Sequence, residues 1–514
     1  MLLAFAIAQA VLYSSLLPLW EGFDEPWHYG YVQYLSTARR LPVLAETRLS
    51  QEVWDSVLLS PASHVLHVPW PELQTFDIYF QLSPEARAHQ RALLESLPRN
   101  GGVPSAHANY EIQQAPLAYA ILAVPDFLLR NVTLPKRILW LRIFNAILSA
   151  ALTLLAAEYL FRIVGLAADW RALGIFCIFA CQMYWASIAH ISSDGIALAL
   201  TAWYFATLAA FSKKPDRAGA LRLSLATSLG LLAKAYFLPL AAFALCVVAY
   251  RRILLLPVFV AIAAALAGPW YVRNLLLYHN LSGLLMSSAP ISSRQVLAAV
   301  FHLDWSRTLP YMLRATLWTG NNSFTSFDTL TLNFLITLLA AGILMYAVQS
   351  FRRRPDAGEW ATFGAIAVFG AAVIYVVGND VIFLHGASAG ASPWYTEPLL
   401  APLLAIALSG MSRTRRFGRP VAIAVCLLWM YISIATYVAK LIPLYGGYPG
   451  GRSTLREILR WYASHGADLT SMLSTLSLAP PSMIYMETVA VAGLAIDLGI
   501  LLTRALFDGD NRTG

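Results

Sequence analysis

The sequence predicts an all-α polytopic membrane protein, and three observations support this class. Apolar residues make up 58% of the 514 residues and charged residues only 12%, and the mean hydropathy is +0.59. Apolar runs of about 20 residues, the length that crosses a bilayer as a helix, recur along nearly the whole chain. Basic residues stand in short clusters between these runs, so the net charge of +8 indicates membrane orientation rather than nucleic-acid binding.

About twelve transmembrane helices are expected from these runs. The basic clusters mark the cytoplasmic side, which places both termini inside the cell and three long loops, 19–137, 270–327 and 441–483, outside it. The spans are expected near 2–18, 138–161, 172–189, 193–212, 219–233, 237–250, 253–269, 328–350, 361–377, 395–411, 420–440 and 484–503. A multi-pass protein of the cell (inner) membrane is therefore predicted.

The long outer loops are expected to hold helices that lie along the membrane surface. Ser83 before Pro84 and Glu85 predicts a capped helix start. The apolar stretch that ends at Pro125-Asp126 is short for a span and predicts a juxtamembrane or re-entrant helix. In the last outer loop, the stretch from Ser453 to Gly466 predicts a further helix that covers a cavity or packs on the membrane surface.

Two adjacent carboxylates and an imidazole follow the first apolar run, in the segment Phe23-Asp24-Glu25-Pro26-Trp27-His28. Asp24, Glu25 and His28 are therefore candidate catalytic residues at the membrane edge. Taken alone, the same motif also fits a metal site, a proton relay or charge pairing at a helix start.

Further charged residues are expected at the outer ends of spans. Asp194 begins the fourth span, Lys234 closes the fifth and Arg273 closes the seventh. A charge near the bilayer costs roughly 2.5–3.5 kcal/mol, so such residues normally face a polar cavity and a partner. Lys234 and Arg273 are candidates for binding an anion there, the alternative being that their long side chains snorkel to the interface.

The order of these motifs resembles the GT-C superfamily of membrane glycosyltransferases, in the branch of protein O-mannosyltransferases and lipid A aminoarabinose transferases. The resemblance covers about residues 1–280. It rests on a series of segments in one order: Asp24 to His28, Tyr110-Glu111 with Gln114-Ala115-Pro116-Leu117, Ser193-Asp194, Leu232-Ala233-Lys234, and Trp270 to Asn274.

The resemblance implies an inverting glycosyltransferase, a hexosyl- or pentosyltransferase whose donor is a polyprenyl-phosphate sugar. The acceptor would be a glycan, lipid or protein, and the active site would face the extracytoplasmic side. Asp24 matches the family's catalytic base and Glu25 its acidic neighbour. The candidates for substrate or phosphate binding are Lys234, Arg273, Asp194, Tyr110, Glu111, Gln114 and Tyr119. Where the aminoarabinose branch has a lysine before Pro-Pro, this chain has Gln114 before Ala115-Pro116, so that lysine's role has no counterpart.

Two regions follow from this resemblance: a GT-C-like catalytic module at 1–280, which includes the first outer loop, and a C-terminal transmembrane region at 281–514 without a separate soluble domain. The chemistry agrees, because a phosphate leaving group needs no general acid and one carboxylate base is enough. No cofactor is required, although Asp24, Glu25 and His28 are also the ligand types of a divalent cation such as Mg²⁺ or Mn²⁺.

Two other functions remain open from the sequence. A transporter or lipid-linked glycan flippase would also have many spans and buried charges, but its charges should lie at mid-membrane, often in two similar halves. A polysaccharide polymerase or ligase would typically have its largest outer loop late in the chain, whereas here the first loop is the largest.

Overall fold

The computed structural model describes residues 1–44, 46–63, 67, 69–99, 101–285, 291–321, 326–383, 393–448 and 454–508, and almost all of its regular structure is helical. The helices of the first half are α1 (Leu2–Leu16), α2 (Glu25–Ala38), α3 (Gln51–Leu58), α4 (Phe76–Gln81), α5 (Pro84–Glu95), α6 (Leu117–Leu128), α7 (Leu134–Ile163), α8 (Ala168–Ala180), α9 (Gln182–Ile188), α10 (Asp194–Lys213), α11 (Arg217–Ala233), α12 (Phe237–Arg252), α13 (Leu256–Leu266) and α14 (Gly268–Tyr278). Strands β1 (Arg48–Ser50) and β2 (Pro104–Ala108) pair antiparallel in the first loop.

The second half is built in the same way, with short helices between long ones. Its helices are α15 (Ser293–His302), α16 (Trp305–Leu317), α17 (Thr329–Arg352), α18 (Ala357–Phe383), α19 (Pro393–Thr396), α20 (Leu400–Arg413), α21 (Arg415–Ala435), α22 (Ile442–Tyr445), α23 (Leu455–Leu476) and α24 (Pro481–Asp508).

The protein is an all-helical multi-pass membrane protein, but the count of about twelve spans is not confirmed. Among the described residues, seven helical stretches are long and apolar enough to cross a membrane, or eight if one bent pair counts as a span. One of the seven, Phe237–Leu266, reverses direction within its length. Three of the expected spans fall short of a membrane-crossing length because α1 has 15 residues, α11 has 17 and α20 has 14. A helix buried inside a protein is apolar whether or not it crosses the bilayer, so hydropathy alone does not fix the number of spans.

The apolar stretch Phe237–Leu266 doubles back on itself at Arg252. Arg252 donates to the carbonyl of Pro215, just before α11, and has extended backbone angles (φ −162°, ψ 85°). Beyond this point the chain returns along α11. The Ser224 hydroxyl donates a hydrogen bond to the carbonyl of Phe259, and the Tyr271 hydroxyl donates one to the carbonyl of Leu231. Helices α12 and α13 therefore run in opposite directions.

The span expected at 172–189 is broken. Helices α8 and α9 meet at an angle of 65°, where Cys181 leaves the helical conformation (φ −69°, ψ 119°). The next residue, Gln182, binds a neighbouring loop instead of continuing a straight apolar helix: its amide donates to the carbonyl of Gly320 at 2.6 Å and accepts the Thr319 N–H at 2.9 Å. The bend brings the segment after α9 into the interior.

The helices predicted in the first loop are present. Helix α5 begins after Ser83, whose side chain accepts the N–H of Ala86. Helix α6 has 12 residues and is about 18 Å long at 1.5 Å per residue, too short to cross a 30 Å core. It packs against α2 and so helps to position the acidic motif.

The predicted helix of the last loop has different ends. Thr454, not Ser453, is its N-cap, in a capping box with Glu457; Ser453 itself lies outside the described residues. Gly466 does not stop the helix, which kinks at His465 and continues to Leu476. Leu469, Met472, Leu473 and Leu476 are buried, and this packing outweighs the roughly 1 kcal/mol that a glycine costs in a helix.

Helix α10 is the centre of the fold. It packs against α7, α11 and α18. Of the residues in an apolar 18-residue stretch of α10, 89% are buried, against 17% in the corresponding stretch of Phe237–Leu266. The first residue of α10 is Asp194, so the most buried of the candidate spans places a carboxylate at its own N-terminus, where the helix dipole favours negative charge.

Candidate active site

Asp24 lies in a strained turn between α1 and α2. Its backbone is left-handed (φ 53°, ψ 21°), as is that of Trp20 (φ 66°), a conformation that costs a non-glycine residue roughly 1–2 kcal/mol. Gly22 allows the turn to approach His190, because an added Cβ would lie 2.6 Å from the His190 Cβ. Strain of this kind persists only where the surroundings hold it.

The Asp24 carboxylate does not cap α2. Asp24 occupies the N-cap position without a capping hydrogen bond from its side chain, and its Oδ1 accepts the hydroxyl of Tyr110 at 2.6 Å. Burial raises the pKa of Asp24, while the Tyr110 hydrogen bond and nearby cations, including Lys234, oppose that rise. The carboxylate is thus a stronger base than a solvated aspartate once ionised.

Glu25 turns away from Asp24 and pairs with Arg142 of α7. Arg142 Nε donates to Glu25 Oε1 at 2.8 Å, its Nη2 donates to Oε2, and the guanidinium also binds the carbonyls of Leu17 and Pro18 at 3.2 and 3.0 Å. Glu25 Oε1 accepts the N–H of Ile191 at 3.0 Å. Burial raises the pKa of Glu25, but Arg142 outweighs burial and the net pKa is lowered.

This buried pair joins the end of α1, the start of α2 and the segment between α9 and α10. Both side chains are fully buried. Glu25, a predicted catalytic residue, does not line the cavity that opens beside Asp24. It holds the turn that carries Asp24.

A cavity of about 310 Å³ opens beside Asp24. Its polar wall contains seven of the ten predicted site residues: Asp24, His28, Tyr110, Glu111, Gln114, Asp194 and Lys234. Its other wall is largely apolar and includes Met183, Leu284, Leu285 and Phe383. Gln113 Oε1 accepts the N–H of Leu285 at 2.8 Å, which attaches the later loop to the first one.

Lys234 and Asp194 form an ion pair on this wall. The Lys234 Nζ lies 2.6 Å from Asp194 Oδ1, and the lysine is 9% exposed. Helix α11 ends just before Lys234, and α10 begins at Asp194. An ammonium has three N–H donors, so the pairing orients Lys234 and leaves it able to bind an anion.

His28 and Glu111 are in contact, but not as an ion pair at neutral pH. His28 Nδ1 lies 3.4 Å from Glu111 Oε2 and 2.8 Å from the Tyr119 hydroxyl. Burial lowers the pKa of His28 to about 3. Burial and the neighbouring Asp24 carboxylate raise the pKa of Glu111 to about 8. Both groups are therefore uncharged at pH 7.

The structure brings seven of the ten predicted site residues together in the cavity lining. Besides Glu25, it places Tyr119 and Arg273 elsewhere. Tyr119 lies behind His28 and outside the cavity lining. Arg273 is not in the lining either, because its Nη2 donates to the carbonyl of Pro42 at 2.5 Å and its guanidinium lies over the rings of Trp270 and Tyr278. The position of Arg273 at the end of an expected span does not predict the direction of its side chain.

Two residues at the site, His190 and Arg142, were not predicted from the sequence. His190 lines the cavity, is 3% exposed and lies edge-on to Phe23; its only signal was proximity to Ser193-Asp194. Arg142 had a clearer signal, because a charge within the apolar run 138–161 normally has a buried partner.

The possible metal site formed by Asp24, Glu25 and His28 does not fit the structure. Glu25 is committed to Arg142, and the described part of the chain contains no group of three or more His, Cys, Asp or Glu residues that could hold a metal ion.

Comparisons with known proteins add a likeness of fold to this geometry. No family model matches the chain, and no curated protein matches it. The chain is an all-helical membrane protein, and among solved structures it is similar to ArnT from Cupriavidus metallidurans. The crystal structure of ArnT bound to undecaprenyl phosphate matches with a TM-score of 0.49 and 12% identity, over 98% of this chain and 76% of that one.

The apo crystal structure of the same ArnT matches with a TM-score of 0.43 and 15% identity, over 83% of this chain and 71% of that one. The structural match to ArnT therefore extends over nearly the whole chain at low sequence identity.

Proposed function

We propose that this protein is an integral membrane glycosyltransferase that moves a sugar from a polyprenyl-phosphate carrier to an acceptor hydroxyl on the extracytoplasmic face, with inversion. One observation carries the proposal: a half-buried aspartate in a strained turn shares a cavity with an oriented lysine. The first is the group that a hydroxyl acceptor requires, and the second is the group that a phosphate requires.

In this reaction the acceptor oxygen attacks the anomeric carbon as its proton passes to Asp24. The bond from that carbon to the phosphate oxygen breaks, and the phosphate leaves with the electron pair. Lys234 stabilises the charge on the phosphate, and Asp194 holds Lys234 in place. Leu284, Leu285 and Phe383 line the apolar wall, which suits the first units of the carrier lipid. A protonated Glu111 donates a hydrogen bond to the donor without adding negative charge.

The test is a transfer assay. Purified protein is incubated with radiolabelled polyprenyl-phosphate sugars and a membrane extract, and labelled product and free polyprenyl phosphate are measured together. We expect label to leave the carrier for an acceptor. Absence of transfer with every donor, together with movement of the lipid across vesicle membranes, would instead support a flippase.

The pH dependence of donor binding is expected to follow the ionisation of the Glu111 carboxyl group. A carboxyl group with a pKa of about 8 is neutral below that pH and negative above it, so the parent's KM for the donor should rise above pH 8 as the donor phosphate is repelled. Glu111→Gln should remove this rise. The control is Glu95→Gln, at a glutamate on α5 that forms only a surface pair with Arg91. An unchanged rise in Glu111→Gln would contradict this role.

The orientation of the first loop is also testable. Ala88 is an exposed residue of α5, and a cysteine at this position should be labelled in intact cells by a membrane-impermeant reagent. Lys214→Cys, also at an exposed position, should be labelled only after permeabilisation. Both variants are made with Cys246→Ser, because Cys246 is exposed. The reverse labelling pattern would place the cavity on the wrong side for the proposed reaction.

A further inference from the structure

A second and larger cavity lies on the other side of α2. Its volume is about 640 Å³, and it is lined by α2, by the segment that leads into β1, and by Gly101 to Pro104. The α2 residues in its lining include Gly30, Gln33, Tyr34 and Thr37.

The two cavities use opposite faces of α2. Residues three or four positions apart share a helix face. Gly30, Gln33 and Thr37 form one such stripe, whereas Asp24 and His28, on the opposite side of the helix, face the first cavity. The helix that carries the proposed base is thus the common wall of both cavities.

The floor of the second cavity is fixed by a buried polar network. Gln33 is 2% exposed; its Nε2 donates to Glu52 Oε2 at 2.7 Å, and its Oε1 accepts the Ser50 hydroxyl at 2.6 Å. Glu52 is paired in turn with Arg137 at 2.6 Å. A glutamine amide has two N–H donors and an oxygen with two lone pairs. Gln33 can therefore keep these two hydrogen bonds and still bind a ligand through its second N–H and its second lone pair.

The rim is polar and of mixed charge. Arg40 Nε donates to the Tyr34 hydroxyl at 3.0 Å, and Arg48 donates to the carbonyl of Ala106 at 2.8 Å; Glu46 also lies on the rim. The groups from Gln33, Tyr34 and Thr37 both donate and accept hydrogen bonds. Groups that both donate and accept hydrogen bonds suit sugar hydroxyls, which also donate and accept, better than they suit a polyanion.

Arg273 and its neighbour Tyr278 hold one wall of this second cavity. Arg273 binds the carbonyl of Pro42, and the Tyr278 hydroxyl accepts the N–H of Leu44 at 3.0 Å. Both contacts anchor the segment that leads from α2 to β1. Arg273 therefore positions the wall of a cavity other than the one for which the sequence suggested it.

We propose that the second cavity binds a saccharide segment of the acceptor, away from the hydroxyl that reacts. This inference rests on the proposed function and names its acceptor class. Thr37 lies about 20 Å from Asp24 along the axis of α2 at 1.5 Å per residue, so an acceptor that reaches both sites is an extended chain of several sugars. Binding remote from the reacting centre lowers the acceptor KM and orients the chain.

Two substitutions fill the cavity from different walls. Thr37 is exposed at the end of α2, and a Cβ added at Gly102 meets no atom within 4 Å. Thr37→Trp and Gly102→Trp should therefore fold. We expect each to raise the KM for an oligosaccharide acceptor at least tenfold and to leave transfer to a monosaccharide acceptor unchanged. The matched control is Ala88→Trp, on exposed α5 outside both cavities. Parent-like kinetics with both acceptors in both variants would overturn the proposal.

A binding measurement separates this inference from the proposed function. Detergent-purified parent, Asp24→Asn and Thr37→Trp proteins are applied to an array of immobilised oligosaccharides and peptides. We expect the parent and Asp24→Asn to retain the same oligosaccharides and Thr37→Trp to lose them. Retention of peptides alone, retention of the same glycans by Thr37→Trp, or no retention by the parent would each overturn the saccharide site, whatever the transfer assay shows.

Discussion

Asp24→Asn is expected to lower sugar transfer by about 10²–10⁴-fold, the usual contribution of a general base. The amide keeps the size of the side chain and can still accept the Tyr110 hydroxyl, but it cannot take the acceptor proton. The donor KM should change little, because Lys234 and Asp194 are untouched. The radiolabel assay measures both quantities.

The matched control for this substitution is Asp468→Asn, at an exposed aspartate on α23. It removes the same charge from the protein without touching the cavity and should transfer sugar like the parent. The melting temperatures of both variants in detergent should match that of the parent, which separates loss of the base from loss of the fold. Equal transfer by Asp24→Asn and the parent would show that Asp24 is not the base.

Arg142→Met is expected to destabilise the protein by about 3–5 kcal/mol, the usual effect of leaving one member of a buried ion pair without its partner. Glu25 would remain buried and charged, and the carbonyls of Leu17 and Pro18 would lose their donors. The turn that carries Asp24 would then relax from its left-handed conformation. Thermal unfolding in detergent and transfer per folded molecule should both decrease.

A double variant distinguishes charge from position. Glu25→Gln in combination with Arg142→Met should recover most of the stability, because it removes the uncompensated buried charge that makes the single variant costly. It should not recover transfer, because the donors that hold the Asp24 turn are still missing. Recovery of both properties would mean that the pair has no part in positioning Asp24.

A surface pair provides the contrasting case. Arg171 contacts Glu158 at 2.8 Å with both side chains partly exposed, and pairs of this kind contribute about 1 kcal/mol or less. Arg171→Met should therefore have little effect on stability and none on transfer. A loss as large as that of Arg142→Met would show that removing any arginine from this protein is harmful.

The helical class and the first-loop helices were predictable because they depend on local patterns. Ser83 caps α5 as its position before Pro84 and Glu85 predicts. The number of spans was less predictable, since α8 and α9 bend where Gln182 binds Gly320, a partner that is distant in the sequence. The same limit explains α23, whose extension past Gly466 depends on packing that the local pattern does not contain.

The sequence by itself determined that this is an all-helical membrane protein, because composition and hydropathy are local properties. It also predicted one polar site for Asp24, Asp194, Lys234 and Arg273, from the positions of these charges at the ends of apolar runs. The tertiary structure alone decided which charges meet. It paired Glu25 with Arg142, turned Arg273 toward Pro42 and placed two cavities on opposite faces of α2. The physical reason is that a buried charge is stabilised by whichever partner the fold brings within hydrogen-bonding distance, and no residue spacing encodes that distance.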